Sequence, residues 1–150
     1  MPEIIPQIYP INSKITDFII EILLKYSDIT EKDTSKQKII TDLENHKYGE
    51  IFTIEDCEEI IGFFSLHHTD YGIFIHKLFI NEEKQKLGTG TIVLNFLKES
   101  FSEIRLRVNT KNTAKLFYEK NGFISDHENE GYFTMIWKKI INIWKYFSHS

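Results

Sequence analysis

The sequence predicts a mixed α/β layer fold. Three observations carry that reading. Residues 73–80 are apolar on both faces, as a central strand must be. Gln85-Lys86-Leu87-Gly88-Thr89-Gly90 follows directly and opens a helical pattern. Residues 103–108 then alternate, with Ile104, Leu106 and Val108 set against Arg105 and Arg107. That is the period of a half-buried strand, and strands separated by helices build layered α/β folds.

The elements follow in order. Residues 4–11 read as an edge strand, because Pro6 and Pro10 interrupt an extended run. Ile15, Phe18, Ile19, Ile22, Leu23 and Tyr26 mark an amphipathic helix capped by Asn12 or Ser13. A second helix spans about residues 35–45 and carries Ile39, Ile40 and Leu43. Residues 50–55 and 60–67 form a hairpin around an acidic turn. Strict alternation along residues 73–80 puts His76 on the face of Phe74 and Leu78. The helix after the glycines gathers Ile92, Val93, Phe96, Leu97 and Phe101 on one side. After a further helix come strands near residues 123–126 and 132–137. In the tail, residues 138–150, Ile140, Ile143, Trp144 and Phe147 have helical spacing. This extension reads as a terminal helix packed on its own domain, the alternative being a homodimer contact or a surface-binding helix.

The glycine turn points to a phosphate-bearing ligand. Glycine lets backbone N–H groups approach a bulky anion. The first amides of a helix have no partner within it and face whatever lies beyond its N-terminus. The stretch is not a dinucleotide fingerprint, since Val93 stands where a third glycine is needed, and no Gly-Lys-Ser/Thr follows for a Walker loop. A second motif lies downstream, between Val108 and Phe123. Asn112 can cap a helix, Ala114, Phe117 and Tyr118 share one face of it, and Asn121-Gly122 ends it.

Together, Gln85-x-x-Gly88-x-Gly90 and Asn112-x-Ala114-x-x-Phe117-Tyr118-x-x-x-Gly122-Phe123 resemble the signature of the GNAT superfamily of acyl-CoA-dependent N-acyltransferases. The motifs cover about a quarter of the chain, and the element order extends over nearly all of it. One departure is Glu82, where members often carry Pro; it shapes only the turn. The resemblance implies a GNAT fold. In that fold a six- to seven-stranded, mostly antiparallel sheet splays in the middle, flanked by about four helices, here with the tail helix added.

The resemblance also implies the chemistry. Acetyl-CoA would lie with its pantetheine arm as a pseudo-strand in the splayed gap, paired with backbone groups of Leu78, Phe79 and Ile80. The amide of Leu78 or Phe79 would face the thioester carbonyl. Amides of Gln85, Lys86, Leu87, Gly88, Thr89, Gly90 and Thr91 would hold the pyrophosphate, with the Lys86 side chain as an extra contact. Asn112 would contact the pantetheine, and Asn109 is a weaker candidate for it. Tyr118 would give the departing thiolate its proton, and His76 is the candidate base. His67 and Glu21 are further candidates for the acceptor side. The reaction implied is N-acetylation of an amine, borne by a small molecule or a protein. The alternative is a non-catalytic acyl-CoA-binding sensor.

Composition sets the remaining bounds. A chain of 150 residues with 41% hydrophobic and 27% charged content suits one domain, residues 1–150, with a real core. A net charge of −4 disfavours nucleic acid as a partner, including the aminoacyl-tRNA acceptor of a toxin-type acyltransferase. A lone cysteine, Cys57, suits a reducing compartment, and its acidic neighbours disfavour its thiolate. The acidic stretch Glu55, Asp56, Glu58 and Glu59 reads as a solvated turn in preference to a site for a cationic acceptor. The first residues lack the basic and apolar regions of a secretory signal, and no apolar run is long enough to span a bilayer. The expectation is a cytoplasmic protein with no metal: His67 and His68 are adjacent and point to opposite faces of a strand.

Overall fold

The structure is a computed structural model that describes residues 2–26, 35–85 and 87–140. The elements are β1 (Glu3–Pro6), α1 (Ser13–Lys25), α2 (Lys36–Glu44), β2 (Glu50–Asp56), β3 (Glu59–His68) and β4 (Ile73–Ile80). They continue with α3 (Glu82–Gln85), α4 (Thr89–Ser100), β5 (Glu103–Asn109), α5 (Ala114–Lys120), β6 (Ile124–Asn129) and β7 (Tyr132–Lys138). The single turn α3 is absent from the sequence reading, because Glu82-Glu83-Lys84-Gln85 has no apolar periodicity and buries nothing. The predicted tail helix lies outside the described residues from position 141 onward, and so does Lys86. No helix among the described residues is long and apolar enough to cross a membrane.

The seven strands form one sheet in the order β1-β2-β3-β4-β5-β7-β6. Every neighbouring pair is antiparallel except β4 and β5. Helices cover both faces. On one side α1 and α2 bury Ile15, Ile19, Leu23, Ile39 and Leu43 against Ile51, Tyr48 and Phe63. Asn12 starts α1 by accepting from the Ile15 amide at 2.9 Å, and Ser35 caps α2 in the same way at 3.1 Å. On the other side α4 presents Val93, Leu94 and Leu97 to Phe64, Leu66, Ile73, Ile104, Leu106 and Met135. Phe96, expected on that apolar side, is 40% exposed: the buried stripe of α4 runs through Leu94 instead.

Among the described residues three bulges interrupt the sheet, the last of them at Asp126 between β6 and β7. Between β2 and β3, Ile54 pairs with Gly62 and Glu55 with Ile60, so Ile61 is the extra residue. Between β3 and β4, Leu66 pairs with Ile75 and Ser65 with Lys77, so His76 is the extra residue. The second bulge corrects the sequence reading. Ile75, Leu78 and Ile80 all pack into the α4-side cluster, a spacing of three and then two. His76 therefore does not share a face with Leu78. Its ring lies 5.5 Å from that of Tyr48, in the α1–α2 cluster. An extra residue re-aims the side chains that follow it, which alternation alone misses.

The β2–β3 hairpin turns through Cys57 and Glu58, both left-handed at φ 51° and 65°. Two left-handed residues fit a hairpin turn that favours Asn-Gly, and side chains there cost roughly 1 kcal/mol each. The double replacement Cys57→Asn with Glu58→Gly should raise stability by about 1 kcal/mol. A higher urea midpoint at unchanged m-value would show this, and a lower one would refute the turn assignment.

Candidate active site

The site begins where two strands part. β4 and β5 pair only at Ile73 with Ile104, Phe74 with Arg105 and Ile75 with Leu106. Beyond that point β4 stays with β3 through Phe64–Leu78, Phe63–Phe79 and Gly62–Ile80. β5 stays with β7 through Arg107–Thr134, Val108–Phe133 and Asn109–Tyr132. The facing edges diverge into a V, and the bulge at His76 sits where the V opens. Among the described residues, Leu78 and Phe79 have no strand partner on that edge, so backbone groups there can pair with water or a ligand. An extended molecule with its own amides fits such a gap as a false strand.

Two clefts meet in the V. One, of about 700 Å³, runs along the α4–α5 side past Ile80, Gln85, Gly88, Gly90, Thr91 and Phe117. The other opens past Phe74, His76, Lys77, Arg107, Asn109 and Tyr132. Leu78, Phe79, Asn112, Ala114 and Tyr118 line both. The junction thus brings together Leu78, Phe79, Asn112 and Tyr118, which the sequence singles out from segments more than thirty residues apart.

At the outer end of the first cleft, the turn engages part of the predicted amide set. The Gln85 amide donates to Asn81 O, Leu87 to Lys84 O and Gly88 to Gln85 O. The Gln85 side chain turns back, its Nε2 donating to Ile80 O at 2.7 Å. The first bond of α4 runs from the Ile92 amide to Gly88 O. The amides of Thr89, Gly90 and Thr91 precede it and are the ones α4 presents to a ligand. Those three N–H groups and the positive end of a twelve-residue helix are donors that an anion could use.

The two glycines serve different needs. Gly88 adopts φ +78°, and a Cβ there would meet open space, so its requirement is purely conformational. Gly90 has no such torsion. A Cβ there would come within 2.7 Å of Phe117 Cζ, so its requirement is the close packing of α4 on α5.

Tyr118 sits at the junction. Asn112 Oδ1 accepts from the Ala114 amide at 2.9 Å just ahead of α5, whose N-cap is Thr113, one residue later than the sequence predicts. Gly122, at φ +87°, ends it, and the Phe123 amide returns to Tyr118 O. The Tyr118 ring is 8% exposed and packs edge-on between Phe117 and Phe123. Burial pushes its phenol above the ordinary tyrosine range. It keeps its proton at neutral pH, so it can donate and cannot serve as a base.

Across the junction, His76 Nδ1 faces His67 Nε2 at 3.4 Å, so one ring donates weakly to the other. His67 in turn lines a groove with Gln7, Tyr9 and His46. Gly49 holds the His67 ring closely, since a Cβ there would stand 2.8 Å from Nδ1. His68 points the other way, onto Phe101 and Glu50. Glu21 is exposed on α1 and lines neither cleft, and the acidic turn at Glu55–Glu59 lines neither.

Sequence reasoning does not place several lining residues at the site, four of them important here. Phe117 reads from the sequence only as a helix-face residue, although it lines the first cleft. Tyr26 closes that cleft, stacking on Phe79 at 5.6 Å and donating to Glu82 Oε1 at 3.2 Å. Arg107 and Tyr132 border the second cleft, with the guanidinium 4.5 Å from the ring centre. The alternation of β5 already puts Arg107 opposite the core, which is the available signal.

Residues 25–138, more than half of the chain, match the family described as an acetyltransferase (GNAT) domain. No curated protein matches the chain. Among solved structures, a protein of Pyrococcus horikoshii superposes with a TM-score of 0.72 at 21% identity, over 94% of this chain and 100% of its own. An acetyltransferase of Thermus thermophilus gives 0.75 at 14% identity, over 92% and 97%. The PaiA N-acetyltransferase of Thermoplasma acidophilum, solved in complex with coenzyme A, gives 0.66 at 20% identity, over 92% and 99%. At such identities the likeness shows the fold.

Burial of Tyr118 has a consequence for stability. The folded chain holds this proton more tightly than the unfolded one. Its contribution is complete below the unfolded value of about 10 and falls as pH rises past it. Urea denaturation between pH about 9 and about 11 should show this decline, and Tyr118→Phe should flatten it. Burial raises Tyr9 and Tyr26 in the same direction, so a shallower slope will persist. An equally steep decline in Tyr118→Phe would show that the buried phenol is not its source.

Proposed function

The chain belongs to the GNAT acetyltransferase family, and we propose that it moves an acetyl group from acetyl-CoA to a primary amine of a small molecule or a protein. One observation carries this reading: two clefts meet at Tyr118, in the gap where β4 and β5 part. One cleft would take the cofactor and the other the amine, which are the two inputs of a direct transfer. A binding module needs only the first.

The residues suit the group. The free edge of β4 along Leu78 and Phe79 offers backbone partners to an extended pantetheine arm. Ile80 O already accepts from the Gln85 side chain. The amides of Thr89, Gly90 and Thr91 suit a pyrophosphate. Acetyl-CoA supplies a thioester whose carbonyl the amine attacks.

The chain's own groups then divide the work. The amine must be neutral to attack, and His76 accepts the proton it gives up as the C–N bond forms. His67, in contact with the same ring, would pass that charge toward the groove behind it. A backbone N–H of Leu78 or Phe79 meets the carbonyl oxygen as it becomes anionic, worth about 10²–10³ in rate. Tyr118 Oη gives its proton to sulfur as the C–S bond breaks. A phenol kept protonated by burial is suited to that step, because the thiolate would form in the same poorly solvated place.

Two variants test the division of roles. Tyr118→Phe should lower kcat by about 10²-fold or more while calorimetry finds unchanged acetyl-CoA affinity. An unchanged kcat would remove Tyr118 from the reaction, and a protein that binds acetyl-CoA but releases no thiol with any amine would be a sensor. Gly90→Ala should displace Phe117 and weaken acetyl-CoA binding by about tenfold at little cost in folding. Unaltered affinity would show that the first cleft does not hold the cofactor.

A further inference from the structure

Resting on the transferase reading, we propose that the acceptor is a small amine bearing a carboxylate, an amino-acid-like molecule, and that Arg107 grips its carboxylate. The core takes Ile104, Leu106 and Val108 from β5, so Arg105 and Arg107 project from the opposite face. Their fates differ. Arg105 is committed: its Nε donates to Glu103 Oε2 at 2.8 Å, and its guanidinium lies 4.0 Å over Tyr71. Arg107 stacks on Tyr132 at the rim of the second cleft, and among the described residues no carboxylate pairs with it. A guanidinium over a ring face is held there and can still offer its N–H fork to a carboxylate.

The rest of the lining points the same way. Among the described residues the second cleft carries His76, Lys77 and Arg107 and no Asp or Glu. A diamine or polyamine entering there would bring a second positive charge beside Arg107, with no carboxylate among the described lining residues to offset it. An acceptor with its own carboxylate gains instead, because a planar guanidinium and a carboxylate match through two parallel hydrogen bonds. The carboxylate would also fix the direction from which the amine reaches the junction beside His76.

The experiment follows thiol release at saturating acetyl-CoA from amino acids, the corresponding amino-acid carboxamides, and simple diamines. The acids should exceed their carboxamides about 10- to 100-fold in kcat/KM. Arg107→Gln should bring that ratio near unity by raising KM for the acids, with acetyl-CoA affinity unchanged. Arg107→Lys should recover only part of the ratio, since an ammonium lacks the fork. Arg105→Gln is the control, and the ratio should survive it. Diamines or carboxamides turned over as well as the acids overturn the proposal. A ratio untouched by Arg107→Gln does so too, and so does release with no acid-bearing amine. A failure of the underlying transferase reading shows separately, as absence of acetyl-CoA binding in the calorimeter.

Discussion

The structure depends on a seam that is only three residue pairs long. β4 and β5 meet at Ile73–Ile104, Phe74–Arg105 and Ile75–Leu106 and nowhere else. Each half of the sheet is otherwise a complete antiparallel unit, β1 to β4 on one side and β5, β7 and β6 on the other. Three pairs would join the halves weakly by themselves. The α4-side cluster reinforces them, because Val93, Leu94 and Leu97 pack on Leu66 and Ile75 from one half and on Leu106 and Met135 from the other. Burial of these side chains, each worth about 1.5–3 kcal/mol, holds the halves together across a gap that hydrogen bonds do not close. Unpaired strand edges are normally a liability. Inside a V flanked by helices they are shielded from other chains and remain open to a narrow ligand.

The bulge decides which chemistry meets the gap. Without the extra residue, His76 would lie on the face of Leu78, among the apolar side chains beneath α4. With it, the imidazole turns toward Tyr48 and His67, on the side of the second cleft. The two candidate proton-transfer groups therefore reach the junction from different elements, Tyr118 from α5 and His76 from β4. Each is held by packing, Tyr118 by Phe117 and Phe123, and His67 behind His76 by the Gly49 backbone.

Much of this is legible in the sequence, and the illegible parts share a cause. The order of strands and helices follows from local periodicity, and so does the end of α5 at Gly122. Local torsional need is also visible, as at Gly88. What periodicity cannot show is the partner. The shift at His76 exists only in the register between β3 and β4. The need for Gly90 exists only because Phe117 arrives from 27 positions downstream. The occupied amides of Gln85, Leu87 and Gly88 depend on α3, one polar turn without an apolar stripe. Tyr26 reaches the first cleft through tertiary approach, and nothing in its own neighbourhood marks it; the alternation of β5 sets Arg107 off the core without showing that a cleft lies there.

Proton bookkeeping narrows the base further than the family resemblance does. Two protons move in the proposed transfer, one off the amine and one onto sulfur. Tyr118, raised by burial, can supply the second and cannot take the first. Among the described residues of the second cleft, Lys77 and Arg107 are cations and Tyr132 is a phenol. His76 alone among them has a side chain whose ordinary pKa lies near neutrality. Its ring touches a second imidazole that lines a separate groove, so a proton arriving at His76 has an exit that avoids the thioester. Placing the cation of Arg107 on the same side serves the step as well. A nearby positive charge favours the neutral amine over its ammonium form, while the acceptor's carboxylate offsets the cost of bringing that amine in.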